Sequence, residues 1–195
     1  MSDNGTAVTN DRFEQGLTYG AYVDQINVNR DRFEQCKSSA SEAMGDDDAE
    51  FFKAAVANGL SKVLVLGEDW CPDVYRGMPV IATISEVSGM EMRVFPRDLH
   101  LDIMDEFLKD GQHRSIPVAV FYTDDLSYVC HWIERPSSAT EEMKEIDEAL
   151  ANELAGQDEQ VVRDVRRQRI NARFSDWQHD TIKEIRQLLK QTMNG

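Results

Sequence analysis

Cysteine is scarce in this chain. Its 195 residues hold only three, Cys36, Cys71 and Cys130, and so sparse and odd a set is not a disulfide framework. Each is read as a free thiol of a reducing compartment. Long apolar runs are lacking too: no stretch approaches the ~20 residues that cross a bilayer. The first twenty residues show no basic start followed by an apolar core, so no secretory leader is read. The chain is expected to be cytoplasmic, with no membrane partner. Cations are outnumbered, 21 Lys and Arg against 36 Asp and Glu, for a net charge of −15. Such a surface repels phosphate backbones, which excludes nucleic acid as a partner on global charge. The four histidines, His100, His113, His131 and His179, have no spacing to each other or to cysteine that a zinc site would need, so no metal is expected. No glycine-rich phosphate loop occurs, so no nucleotide cofactor is expected.

What is present suits one folded domain with extensions. Hydrophobic residues make up 41%, enough for a real core at this length. Residues 1–17 are polar and read as a mobile N-terminal arm. From Thr18, the positions Tyr19, Tyr22, Val23, Ile26 and Phe33 fall near helical spacing. Ser38 to Asp48 is small, polar and acidic and reads as a linker. Asp47 with Glu50 resembles a capping box opening a short helix that ends near Gly59. Val63 to Leu66 is a continuous apolar run, as expected of a strand covered on both faces.

A helix is predicted from Pro72 or Asp73 to Ser88, closed by Gly89, with Pro79 kinking it. Met90 to Phe95 reads as a strand. A helix with Leu101, Met104, Phe107 and Leu108 as its buried stripe follows. Pro117 to Tyr122 and Leu126 to Ile133 read as a hairpin across Asp124-Asp125, with Tyr128, Cys130 and Trp132 on one face. Beyond Pro136 the chain reads as helical, with a capping box at Ser138 and Glu141 and an interruption at Gly156. Ile170, Phe174, Trp177, Ile182, Ile185 and Leu189 form the apolar stripe of its last helix. The organisation is therefore an arm over 1–17, an α/β domain with an N-terminal helical extension over 18–136, and a C-terminal helical extension over 137–195. That extension is expected to pack on the domain or on a partner subunit, possible as a homodimer. Alternating helices and strands followed by a hairpin imply a mixed sheet flanked by helices.

The chemistry-bearing segment is Trp70-Cys71-Pro72-Asp73-Val74. A cysteine at a helix start faces unsatisfied backbone N–H groups and the positive end of the helix dipole. Both favour thiolate, the form that attacks disulfides. Glu68, Asp69 and Asp73 oppose this by like charge, and Arg76, one turn into the helix, is the nearest compensating cation. The two effects are each of order ~1 kcal/mol when partly exposed, so the sign of the net shift is open.

The strand leading into Trp70-Cys71, a proline eight places on (Pro79), and Arg114-Ser115-Ile116-Pro117 before a hairpin together resemble the thioredoxin family. The resemblance covers about 61–136, and the helical additions look like a bacterial subgroup of it. It implies a thioredoxin-like fold and a cis proline at Pro117. It also implies a substrate groove formed by Trp70, Pro72, Asp73, Val74, Ile116 and Pro117. Three departures stand out. Val74 occupies the place of the second cysteine, Val65 that of the buried acid, and Val118 follows the proline. Local dithiol cycling is thereby excluded.

The expected function is redox chemistry as an oxidoreductase with one nucleophilic cysteine, Cys71. Its mixed disulfide would be resolved by an external thiol, with glutathione or a protein thiol as co-substrate. Cys130 and Cys36 are alternative resolving thiols, although a buried structural thiol and a stray thiol are the plainer readings. The other readings are a non-catalytic protein-binding module and, more remotely, iron–sulfur ligation by paired Cys71 thiolates. Arg163, Arg166, Arg167, Arg169 and Arg173 form the one basic cluster. They read as a solvated helix face paired with acids, or as a docking surface for an acidic partner.

Overall fold

The apolar run at Val63 to Leu66 lies at the centre of the fold because its strand has a neighbour on each edge and cover on both faces. In the computed structural model, which describes residues 7–193, this strand is β1 (Leu60–Gly67). β2 (Glu91–Pro96) runs parallel to it, from Lys62 opposite Glu91 to Gly67 opposite Pro96. β3 (Val118–Thr123) pairs antiparallel on the other edge and β4 (Tyr128–Ile133) antiparallel to β3, giving the order β2-β1-β3-β4. Parallel neighbours need a crossover, and α5 (Pro72–Ser88) supplies it.

The helices before the sheet are α1 (Asn10–Glu14), α2 (Tyr19–Gln25), α3 (Arg30–Ala43) and α4 (Asp46–Ala57). Three expectations are corrected here. The arm over 1–17 is built into the fold from residue 7 onward: Phe13 is fully buried, and Leu17 pairs with Val94 at the edge of β2. Residues 1–6 lie outside the described residues. The helix expected from Thr18 through Phe33 is broken, because Asn29 adopts a left-handed conformation (φ 60°) between α2 and α3. The expected linker over 38–48 is largely helical. α3 runs to Ala43 and buries Phe33, Cys36, Ala40 and Ala43 along one face against α5. α4 follows after only Met44 and Gly45, and three aspartates in its first turn complement the helix dipole in place of a capping box.

After β2 comes a single 3-10 turn (Arg97–Leu99) and α6 (Leu101–Met104), much shorter than expected. Ile103, Met104 and Phe107 are buried there, while Leu101 is exposed. In the hairpin, the register shifts between Phe121 and Tyr122, and β4 accommodates the extra residue at Val129. Tyr128 is therefore on the opposite face from Cys130 and Trp132. Its ring stacks on Phe107 and its hydroxyl meets His131 Nδ1 at 2.7 Å.

The C-terminal part is α7 (Ser137–Glu153), α8 (Glu159–Asn171) and α9 (Phe174–Met193). The backbone N–H and hydroxyl of Ser137 both donate to Glu184 of α9 (2.9 and 2.7 Å), replacing the expected capping box. Ile170 belongs to α8 rather than to the last helix. Ile182, Ile185 and Leu189 of α9 join the main core, against α5 and β4. Ala139, Ile170 and Trp177 form a separate small cluster between α7, α8 and the start of α9. Among the described residues no helix is long and apolar enough to cross a membrane.

Candidate functional site

β1 ends at Gly67, and Glu68, Asp69 and Trp70 carry the chain to Cys71, the N-cap of α5. Pro72 at the first helical position needs no hydrogen-bond acceptor for its nitrogen and is preset for the helix. Cys71 is partly buried, and its Sγ donates to the backbone oxygen of Ile116 at 3.8 Å. The Ile116–Pro117 peptide bond is cis. α5 comes close to this loop because position 77 has no side chain. A Cβ on Gly77 would lie 3.1 Å from Pro117 and 3.2 Å from Trp132, tighter than packed carbons tolerate. Val74, where a second cysteine would sit, is fully buried.

Asp69 and Glu68 are occupied by the backbone. Asp69 Oδ2 accepts from the N–H groups of Asn27 (2.9 Å) and Val28 (3.3 Å), and Asn29 Nδ2 donates to the Asp69 carbonyl. Glu68 accepts from Asp98 N–H at 2.7 Å. The α2–α3 junction and the turn after β2 thus clamp the loop before the cysteine. Trp70 stays half exposed, with the Arg97 guanidinium 5.4 Å from its ring centroid; Arg97 also donates to the Arg114 carbonyl ahead of the cis proline.

The net electrostatic effect on Cys71 is upward from the ordinary thiol value. Burial contributes most, and the Asp73 carboxylate adds to it. The N–H groups of Val74 and Asp73 and the charge of Arg135 pull the other way without prevailing. The helix start therefore acts on the sulfur as expected but loses to desolvation. The compensating cation is Arg135 rather than Arg76. Arg135 pairs with Asp73 and Glu134, and Glu134 also pairs with Lys109. Arg76 also meets Asp73, at 3.8 Å, and lies over Phe174, 4.0 Å from its ring centroid. Sequence separation hid Arg135. A signal for it is the residue before, Glu134, held at φ 72° while its N–H donates to the Pro117 carbonyl at 2.7 Å. That bond ties the end of β4 to the cis-proline loop and swings Arg135 toward α5.

Cys36 and Cys130 are both buried and free. Burial pushes the Cys36 thiol up to about 11 and the Cys130 thiol up to about 12. Cys36 faces α9, whose Gln178 donates to its carbonyl at 2.9 Å, and Cys130 meets Thr192. Burial shields both sulfurs from solvent, whereas Cys71 is only partly buried. Among the described residues no three His, Cys, Asp or Glu side chains converge as metal ligands.

The C-terminal arginines all have acidic partners. Arg166 pairs with Asp147, Arg169 with Glu153 and Arg173 with Glu142 across helices, while Arg163 and Arg167 pair within α8 with Glu159 and Asp164.

Two solved structures share the architecture. One is the crystal structure of a protein of unknown function from Pseudomonas aeruginosa (TM-score 0.65, 13% identity, 94% of this chain and 98% of that one). The other is an HIV epitope-scaffold (TM-score 0.67, 14% identity, 94% and 99%). At these identities they show the fold alone. No curated protein matches the chain. A family model described as thioredoxin matches residues 16–151, a span that holds β1 to β4, Cys71 and the cis Pro117. With well over half of its length matched in this way, the chain belongs to the thioredoxin family.

Proposed function

We propose that the protein carries out thiol–disulfide exchange through Cys71 alone. The observation that carries this reading is the position of its sulfur: at the start of α5, partly accessible, and directed at the Ile116 carbonyl beside the cis proline. The Cys71 thiolate attacks one sulfur of a disulfide, forming a mixed disulfide and releasing the other half as a thiolate. With Val74 buried at the second position, an external thiolate then attacks the substrate sulfur of that mixed disulfide and frees Cys71. Trp70 and Ile116-Pro117 border the groove. Pro72, Asp73 and Val74 form the helix start below the sulfur.

The upward shift of the Cys71 thiol favours a second reading, a binding module that holds an extended segment in the same groove without exchange. Incubation with oxidised glutathione between pH 7 and 9, followed by intact-mass measurement with Cys71→Ser as the blank, separates the two. Exchange gives one glutathione adduct on the parent chain, none on the variant, and its removal by added thiol. A parent chain that stays unmodified at pH 9 overturns exchange and leaves the binding module.

A further inference from the structure

The cleft beside the start of α5 is unlike the rest of this acidic molecule. It is lined by Pro72, Asp73 and six arginines: Arg32 of α3, Arg76 of α5, Arg135 after β4, and Arg163, Arg166 and Arg167 of α8. Asp73 is the one carboxylate in its lining, in a chain where acids exceed cations by fifteen. Its volume of ≈ 370 Å³ falls in the range of small-molecule sites.

The arginines are not all engaged. Arg32 has no carboxylate partner among the described residues. Arg163 and Arg167 find their partners within their own helix, Glu159 at 3.1 Å with Gln160, and Asp164 at 2.7 Å, with side chains 62% and 68% exposed. Exposed pairs of this kind contribute little and exchange readily for a ligand. Arg76 and Arg135 share Asp73 as a partner, and Arg135 also meets Glu134, so two guanidiniums stand against the one carboxylate of the lining. Planar guanidiniums from four parts of the chain around one cavity match the paired oxygens of phosphates and carboxylates.

We propose that this cleft is an anion subsite that holds the phosphate or carboxylate groups of a small thiol or disulfide while its sulfur meets Cys71. Pro72 and Asp73 connect the two, being both the first turn of α5 and part of the cleft lining. The linkage to Cys71 rests on the exchange reading above; the anion site itself does not. It also gives the α8 arginine cluster a role beyond a solvated face.

Two measurements on the full chain test this. The first is calorimetric titration with inorganic pyrophosphate and, separately, citrate at low ionic strength. One saturable site is expected, weakened about tenfold or more by the double change Arg32→Ala, Arg167→Ala and unchanged by Lys53→Ala on α4. Stronger binding of pyrophosphate assigns phosphate as the recognised group, and stronger binding of citrate assigns carboxylate. The second is the rate of Cys71 exchange with anionic oxidised glutathione relative to cationic cystamine. The ratio should favour glutathione and fall about tenfold in the double variant. No saturable binding, or equal weakening by Lys53→Ala, overturns the subsite. An unchanged rate ratio with intact pyrophosphate binding overturns its link to Cys71. If Cys71 exchanges with neither disulfide, the exchange reading fails while the titration still decides the cleft.

Discussion

At Cys71 four opposing influences act on one atom, and their balance sets its chemistry. The helix start and Arg135 favour charge on the sulfur, whereas burial and Asp73 disfavour it, and the resultant is upward. A raised thiol pKa means that the thiolate fraction at neutral pH is below that of a free cysteine and grows with pH through and beyond ~8.5. The alkylation rate of Cys71 should therefore climb about tenfold per pH unit from 7 to 8.5 without levelling. A plateau below pH 7.5, read against Cys71→Ser, would contradict that balance. The same site yields a constructive test. Val74→Cys restores a second thiol one turn from Cys71. It should cost about 1 kcal/mol through lost side-chain volume and allow the new pair to oxidise, seen as loss of both thiols in a thiol titration. If oxidation spares Cys71 in that variant, its sulfur does not face the first turn of α5. The sequence showed the cysteine, the helix it caps and the proline across from it. It did not show Arg135, which lies 64 positions away and reaches Asp73 only because Glu134 bends the chain back on Pro117.

Elements were readable where their signals were local and strong. α5 begins at Pro72 and ends before Gly89 because a proline, an acidic first turn and a left-handed glycine mark its ends. β1 was readable from four consecutive apolar residues. α3 was hidden because its buried face past Phe33 is made of Cys36, Ala40 and Ala43, small residues that leave little hydrophobic contrast with the serines between them. The extra residue at Val129 turned Tyr128 to the other face, and one such insertion reverses every side chain before it. The N-terminal helices have a positional role that follows from Asp69, which accepts from two backbone N–H groups at the α2–α3 junction. Asp69→Ala should lower stability by about 1–3 kcal/mol in urea unfolding and speed hydrogen exchange at Asn27 and Val28. Unchanged exchange at both amides would show that the junction is held without Asp69.

Across the whole molecule, the sheet and its flanking helices share one core that α9 completes, while α7 and α8 rest on a much smaller cluster. The boundary placed at residue 136 in the sequence separates these helices in chain order but not in packing. Ile182, Ile185 and Leu189 are as deeply buried as the residues of β1. This asymmetry predicts two different responses to the same truncation. Ile185→Ala opens a cavity in the shared core and should cost about 2–5 kcal/mol, lowering the urea midpoint with one transition at every probe. Ile170→Ala removes contacts with Ala139, Trp177 and their neighbours and part of the wall of the arginine-lined cleft. It should leave the core transition nearly in place and raise hydrogen exchange in α7 and α8, as expected of a locally stabilised unit. Because the arginines of α8 line the cleft beside α5, Ile170→Ala should also weaken pyrophosphate binding without altering the alkylation profile of Cys71. A parallel loss of both would mean that α8 and the sulfur's surroundings form one cooperative unit.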